Sequence, residues 1–205
     1  MALTRQQRIL NAARKVFIER GKGGARVDAI ARKARVNKAL IYYYYSSKDQ
    51  LYYHVLKHTF SAILARVSGA LSPEQSPEKR IANMVEAYHG FLMKNRALPV
   101  LILREMADGA PVLKKIASEI LSADFESLPL SFDKTLNEGN RIGEWRIVDP
   151  GQTLVSLLGM LIFPFAAAPL LETALGIDPE SDFWQQRPQA VIDIFFRGIE
   201  KRETT

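Results

Sequence analysis

The sequence predicts an all-α protein, and three observations carry that expectation. Apolar residues recur at the three- and four-residue spacing of a helix along most of the 205-residue chain. No series of alternating segments marks a sheet. With 47% hydrophobic residues, the chain has enough apolar surface to bury a core, which excludes a disordered polymer.

The elements follow in order. Residues 5–20 form an amphipathic helix with Ile9, Ala12, Ala13, Val16 and Phe17 on one face. Thr4 is its expected N-cap and Gly21 its stop. The GKGG run at 21–24 is a loop; it lacks the preceding strand and Lys-Ser/Thr ending of a phosphate cradle. VDAIARKA, residues 27–34, is a short helix whose stripe is Val27, Ile30, Ala31 and Ala34. The turn ARVNK leads to a third helix from Lys38 to about Tyr45, with Asn37 as N-cap. Ser46 and Ser47 end it and cap a long fourth helix that begins near Lys48.

LSPEQSPEK at 71–79 is a hinge-like loop. Helices are then expected over about 78–94, 97–107, 110–127 and 129–139, followed by a turn-rich connection at 139–151. Two strongly apolar helices, about 150–170 and 183–202, close the chain. The uncharged run 153–171 is nearly long enough for a membrane span. Pro164 and Pro169 interrupt it and no basic flank accompanies it, so a helix buried on most sides, partly by a second subunit, is expected instead.

Charge divides the chain. Residues 1–60 hold thirteen Lys or Arg against three acids, Glu19, Asp28 and Asp49, whereas residues 61–205 are mildly acidic. A basic N-terminal part on an acidic body suits one domain for a polyanion and another for something else. The chain has no cysteine, so disulfides and thiolate metal sites are excluded. The N-terminal stretch has no apolar run followed by a cleavage pattern, and a cytoplasmic protein is expected.

The pair of short helices at 27–34 and 38–45, joined by a tight turn, has helix-turn-helix spacing. The second helix of such a pair is the one that enters the major groove of DNA. Arg26, Arg32, Lys33, Arg35, Lys38 and Lys48 surround it.

RQQRILNAARKVFIERG, VDAIARKARV and NKALIYYYYSSKDQL together resemble the N-terminal domain of the TetR family of transcriptional regulators. The resemblance covers about the first 55 residues, and the remainder has the usual size of that family's helical domain. It implies a helix-turn-helix domain over 1–50 and a larger helical ligand-binding and dimerisation domain over 51–205. The implied function is a homodimeric repressor that binds palindromic double-stranded operator DNA and is released by a small apolar or amphipathic ligand; the alternatives are a DNA-binding regulator, activator or repressor, without small-molecule control, and a helical protein-interaction scaffold. No cofactor, metal or membrane is implied.

Two positions depart from the family pattern. Arg26 stands where a capping Ser or Thr is usual, and Arg35 stands where the turn prefers Gly. Both are candidates for phosphate contacts. Asn37 is either a cap alone or a phosphate contact, and Lys38 reads either a guanine edge or a phosphate. Ala39 and Leu40 offer apolar contact at the start of the helix. Lys48 resembles the family's phosphate-binding lysine.

The helix turns about 100° per residue, which divides the four-tyrosine run. Ile41 and Tyr45, four apart, face the core. The resemblance places Tyr42 at the boundary, packed in part on the first helix, and Tyr43 and Tyr44 on the DNA side.

Beyond residue 50, Met84, Tyr88, Phe91, Met106, Phe125, Phe163 and Phe165 are pocket candidates, each also readable as plain core. Leu157, Leu161 and Phe165 on one helix, with Val191, Ile194, Phe195 and Ile199 on another, are dimer-interface candidates, and Gly159 and Ala166 would permit close approach. Arg104, Glu105 and Asp108 form either an ion-pair cluster or a polar ligand site. His54 and His58, four apart, lack a third ligand nearby, and no catalytic spacing is present.

Overall fold

The backbone is helical because the local signals are. The computed structural model describes residues 3–122, 128–143 and 145–200. The helices are α1 (Arg5–Gly24), α2 (Val27–Ala34), α3 (Lys38–Tyr45), α4 (Lys48–Ala70), α5 (Pro77–Met93), α6 (Leu98–Ala107), α7 (Pro111–Ser122), α8 (Leu128–Arg141), α9 (Pro150–Ala166), α10 (Ala168–Leu175) and α11 (Phe183–Ile199). Among the described residues the one β-type pairing joins Trp145 to Glu200. The fold is all-α, as expected.

Caps set the boundaries. Thr4 accepts from the Gln7 amide while the Gln7 side chain accepts from the Thr4 amide, a full capping box for α1. Gly21 takes a left-handed φ of 67°, so α1 breaks there although a last turn continues to Gly24. Asn37 accepts from the Ala39 amide at 2.9 Å and starts α3, and Ser47 accepts from Gln50 at 3.1 Å at the start of α4.

The chain forms two compact units. One comprises the segment ending at Ala62 together with Val100–Glu119. Its core is Ile9, Ala13, Phe17, Ile30, Ile41 and Leu56, with the Phe17 ring edge-on to Tyr52 at 4.9 Å. Tyr52 donates to buried Glu105, which also accepts from the Val112 amide at 2.8 Å. These bonds answer for Glu105: it ties α4 to the α6–α7 turn rather than joining an ion-pair cluster or a ligand site. The expected domain boundary at residue 50 falls inside α4, whose first turns pack within this unit.

The second unit comprises Ile63–Pro99 and the chain from Ile120 onward. Here α5 packs on α8, α9 and α11. Arg80, almost wholly buried, pairs with Glu138 at 2.6 Å and donates to the Pro73 carbonyl, which holds α5 to α8 and to the loop before it. Gly139 is required by packing: a Cβ there would lie 2.1 Å from the Trp145 ring.

The closing helices differ from expectation. The run after 150 is two helices, because α9 ends at Ala166 and α10 leaves at 73°. Pro169, in the first turn of α10, cannot extend the α9 hydrogen-bond ladder. No single helix is long and apolar enough to cross a membrane.

Candidate DNA interface

The site is built on α2 and α3. The apolar stripe of α2 is buried, and Ile41 and Tyr45 anchor α3 in the same core. That leaves Asn37, Lys38, Ala39, Tyr42, Tyr43 and Tyr44 on the exposed surface, with Leu40 half-buried. Arg35 closes α2 in the left-handed conformation, φ 55° and ψ 50°, and its amide bonds back to the last turn of α2. The turn is therefore the usual one, built with an unusual residue. Arg26 precedes α2 in extended backbone with no side-chain cap, so its guanidinium is left for other work.

The tyrosines separate as helix geometry requires. Tyr45 is 3% exposed and stacks near His54 at 5.4 Å, while Tyr43 is 80% exposed. Tyr42 and Tyr44 are alike, at 42% and 38%. Tyr42, expected at the boundary, is thus as open as Tyr44, expected on the DNA side. Tyr44 is held between Tyr43, edge-on at 5.3 Å, and Tyr45.

Three lysines are already engaged. The Lys38 ammonium lies 2.9 Å from Asp28, and that bond raises its pKa. Lys48 donates to the Ala25 carbonyl at 3.2 Å and to that of Gly23 at 3.5 Å, closing the end of α1. Lys33 pairs with Glu19 at 2.7 Å, and its hydrogen bond holds the Glu19 carboxyl below the usual range. Among the described residues, Arg26, Arg32 and Arg35 are exposed and make no ion pair. Arg32 had no place among the expected contacts; only the exposed side of α2 reveals it.

The other expected residues are dispersed. Leu157, Leu161, Phe165, Val191, Phe195 and Ile199 are buried inside the protomer, so they are not available to a second subunit. Of that set Ile194 stays exposed. The reason is that the helix sides carrying these residues pack on α5 and on each other. What α9 turns outward is Val155, Gly159 and Phe163. Of the pocket candidates, Met84, Phe91 and Phe165 are core, Met106 and Phe163 are exposed, and Phe125 lies outside the described residues. Tyr88 is half-buried, and burial pushes its phenol up to about 12.

A groove of about 480 Å³ is lined by Arg146, Ile147, Asp149, Met160 and Ile194 among others. A second, about 430 Å³, is polar, with Arg66, Asn83, Glu86 and Lys94. Neither is lined by the expected pocket residues. Among the described residues no group of three or more His, Cys, Asp or Glu could hold a metal ion. His54 instead contacts the rings of Tyr45 and Tyr53.

An exposed second helix beside a first one whose apolar stripe is buried, with three arginines free of ion pairs around it, defines the class: a helix-turn-helix DNA-binding protein. Comparison with known proteins carries this further. Residues 9–55 match the model for bacterial regulatory proteins of the tetR family. The transcriptional regulator RutR of Escherichia coli K12 is 27% identical over 203 residues, covering 97% of this chain and 92% of RutR. The transcriptional activator FasR of Mycolicibacterium smegmatis is 35% identical over 88 residues, 43% of this chain and 40% of FasR. The ketosteroid transcriptional regulator KstR2 of Mycobacterium tuberculosis has the same fold, with a TM-score of 0.73 at 19% identity and 98% of each chain covered. Residues 9–55 thus carry the DNA-binding domain of the TetR family, and the chain has the fold of solved TetR-like regulators.

Proposed function

We propose that the protein is a cytoplasmic homodimeric repressor that binds palindromic operator DNA and leaves it when a small molecule binds. The single observation that carries the DNA half is the exposed face of α3. Ala39 allows close backbone approach, Lys38 reads a guanine edge or a phosphate after leaving Asp28, and Tyr43 donates to phosphate or lies along sugar and thymine methyl. Tyr42, Tyr44 and Leu40 flank that contact, and Asn37 positions the helix start as its cap. Arg26 and Arg35, with Arg32, meet phosphates. Lys48 supports the contact by fixing the end of α1.

The dimer is carried by apolar surface. Val155 at 68% and Phe163 at 63% are exposed on α9, Ile194 at 57% is exposed on α11, and α10 buries none of its residues. A monomer gains nothing by exposing them, whereas a two-fold copy covers both sets at once. A two-fold dimer spaces its recognition helices by about 34–36 Å, one turn of DNA. Ligand binding then needs only to favour a dimer with another spacing.

FasR is named an activator, so the sign of regulation is tested with the rest. The experiment is sedimentation of the purified protein with a fluorescent operator duplex, and transcription from that operator in vitro. A dimer-to-duplex complex that lowers transcription supports the reading. A monomer on the duplex, or raised transcription, contradicts it.

A further inference from the structure

Two prolines stand inside the closing helices, Pro164 in α9 and Pro188 in α11. Each lacks the N–H that would bond the carbonyl four residues earlier, so the carbonyls of Met160 and Trp184 lose their helical donors. Both freed carbonyls look toward basic side chains. Arg187 Nη2 donates to the Met160 carbonyl at 3.0 Å. The Trp184 carbonyl acts on the His89 ring of α5.

The basic side chains are not fully used. His89 is 95% buried, its residual exposure being 5%, and neither Nδ1 nor Nε2 makes a hydrogen bond of ordinary geometry. Arg187 Nε is buried without a partner too. Unsatisfied buried donors are rare in folded proteins and mark a missing partner. Burial holds the His89 imidazole below its usual range; the Trp184 carbonyl opposes this, and the Arg187 and Arg96 charges add to it. Burial alone lowers Arg187. Among the described residues, no carboxylate pairs with Arg187 or Arg96. A half-buried guanidinium whose Nε is enclosed without a partner, in an acidic domain, calls for an anion.

The walls are aromatic. Phe165 lies 5.5 Å from His89 and 4.9 Å from Trp184, and the Arg96 guanidinium covers the other ring contact of Trp184 at 5.2 Å. Phe183 lies 5.9 Å from the Arg187 guanidinium. With Arg187 Nη2 on Met160, the Arg187 Nε–H and one imidazole N–H are buried without partners, two donors for two oxygens.

We propose that α5, α9 and α11 form a binding site for a small monocarboxylate carried on an apolar body, with Arg187 and His89 holding the two carboxylate oxygens and Phe165 and Trp184 holding the body. This deepens the ligand-release reading and rests on it for its regulatory meaning.

The test is calorimetric titration of the full-length protein with benzoate, phenylacetate and octanoate, with benzamide as the neutral isostere. The carboxylates bind saturably and benzamide does not. Arg187→Gln weakens the carboxylate by about tenfold or more, the value of a charge-assisted hydrogen bond, and His89→Gln weakens it less. Where Arg187→Gln does not fold, Arg187→Lys, which keeps the charge and loses the planar fork, serves instead. Equal binding of benzamide, no binding of any of the three acids, or unchanged affinity in the arginine variant and in His89→Gln overturns the site. A separate operator-binding assay isolates the release reading. Carboxylate that binds through Arg187 yet leaves operator affinity unchanged contradicts release while the site stands. Release that persists undiminished in the Arg187 variant contradicts the site.

Discussion

Lys38, the first residue of the recognition helix, is bonded to Asp28 of the preceding helix at 2.9 Å. The side chain best placed to read a base is therefore held by a carboxylate in the free protein. Both partners are exposed, so the pair is easily exchanged for a nucleic acid partner. Asp28→Asn is expected to raise affinity for all duplexes several-fold at low salt, on the order of 1 kcal/mol, by removing a competitor and a repelling charge. Lys38→Ala is expected to relax preference at one base pair, at a cost of about 1–3 kcal/mol on the cognate site. Competition binding across a set of single-base operator variants reads both.

The tyrosine run gives an internal contrast. Tyr45→Ala removes a buried ring and is expected to cost about 3–5 kcal/mol of stability. Tyr43→Ala removes an exposed one, so denaturation midpoints stay within about 0.5 kcal/mol while DNA affinity falls. Urea unfolding and fluorescence anisotropy, run on the same two variants, separate the effects.

Arg35 carries backbone strain at φ 55°. Arg35→Gly relieves about 1 kcal/mol of left-handed strain, partly offset by the entropy of an added glycine, and a small gain in thermal stability is expected. The same change removes a cation, so the slope of log affinity against log salt should become shallower by about one phosphate's worth. A lower melting temperature with an unchanged salt slope would refute both parts.

How much of this was legible depends on where each signal lies. The bounds of α3 and the start of α4 were readable because their caps are local: Asn37, Ser46 and Ser47 act on residues within a turn of themselves. The engagement of Lys38 with Asp28, and of Lys48 with the end of α1, was not readable, because it is set by how the helices meet. The buried sides of α9 and α11 were misjudged for another reason. The helix α9 is apolar nearly all round and carries little periodic signal, so Leu157 and Val155 look alike in sequence and part only on folding, while the apolar stripe of α11 does not say whether its own protomer or a second one covers it. Pro164 and Pro188 were visible, yet their freed carbonyls are met by Arg187 and faced by His89, residues far away along the chain.

The dimer prediction uses that correction. Phe163→Glu places a charge on the exposed side of α9 and is expected to yield folded monomer in sedimentation velocity, with operator affinity lost. Leu161→Ala, on the buried side, should instead destabilise the protein by about 2–5 kcal/mol.

His89 gives the fold a pH dependence. Its ionisation is depressed by burial first, with the Trp184 carbonyl opposing and Arg187 and Arg96 assisting. In the unfolded chain the imidazole titrates near 6.5. As pH falls through that value the unfolded chain binds a proton that the folded one refuses, so stability present above it is lost on acidification. His54, also depressed by burial and by Lys57 and Lys115, adds to the same slope. Chemical denaturation between pH 7.5 and 5 (roughly the histidine range) should show the decline, and His89→Gln should flatten part of it.

The central claim is that α3 reads a palindrome as part of a dimer. Selection of binding sites from random duplexes with the purified protein tests it most directly. The expected outcome is an inverted repeat with half-sites about one turn of DNA apart, bound in a strongly salt-dependent manner. Recovery of no enriched duplex, together with DNA binding indifferent to salt, would contradict it.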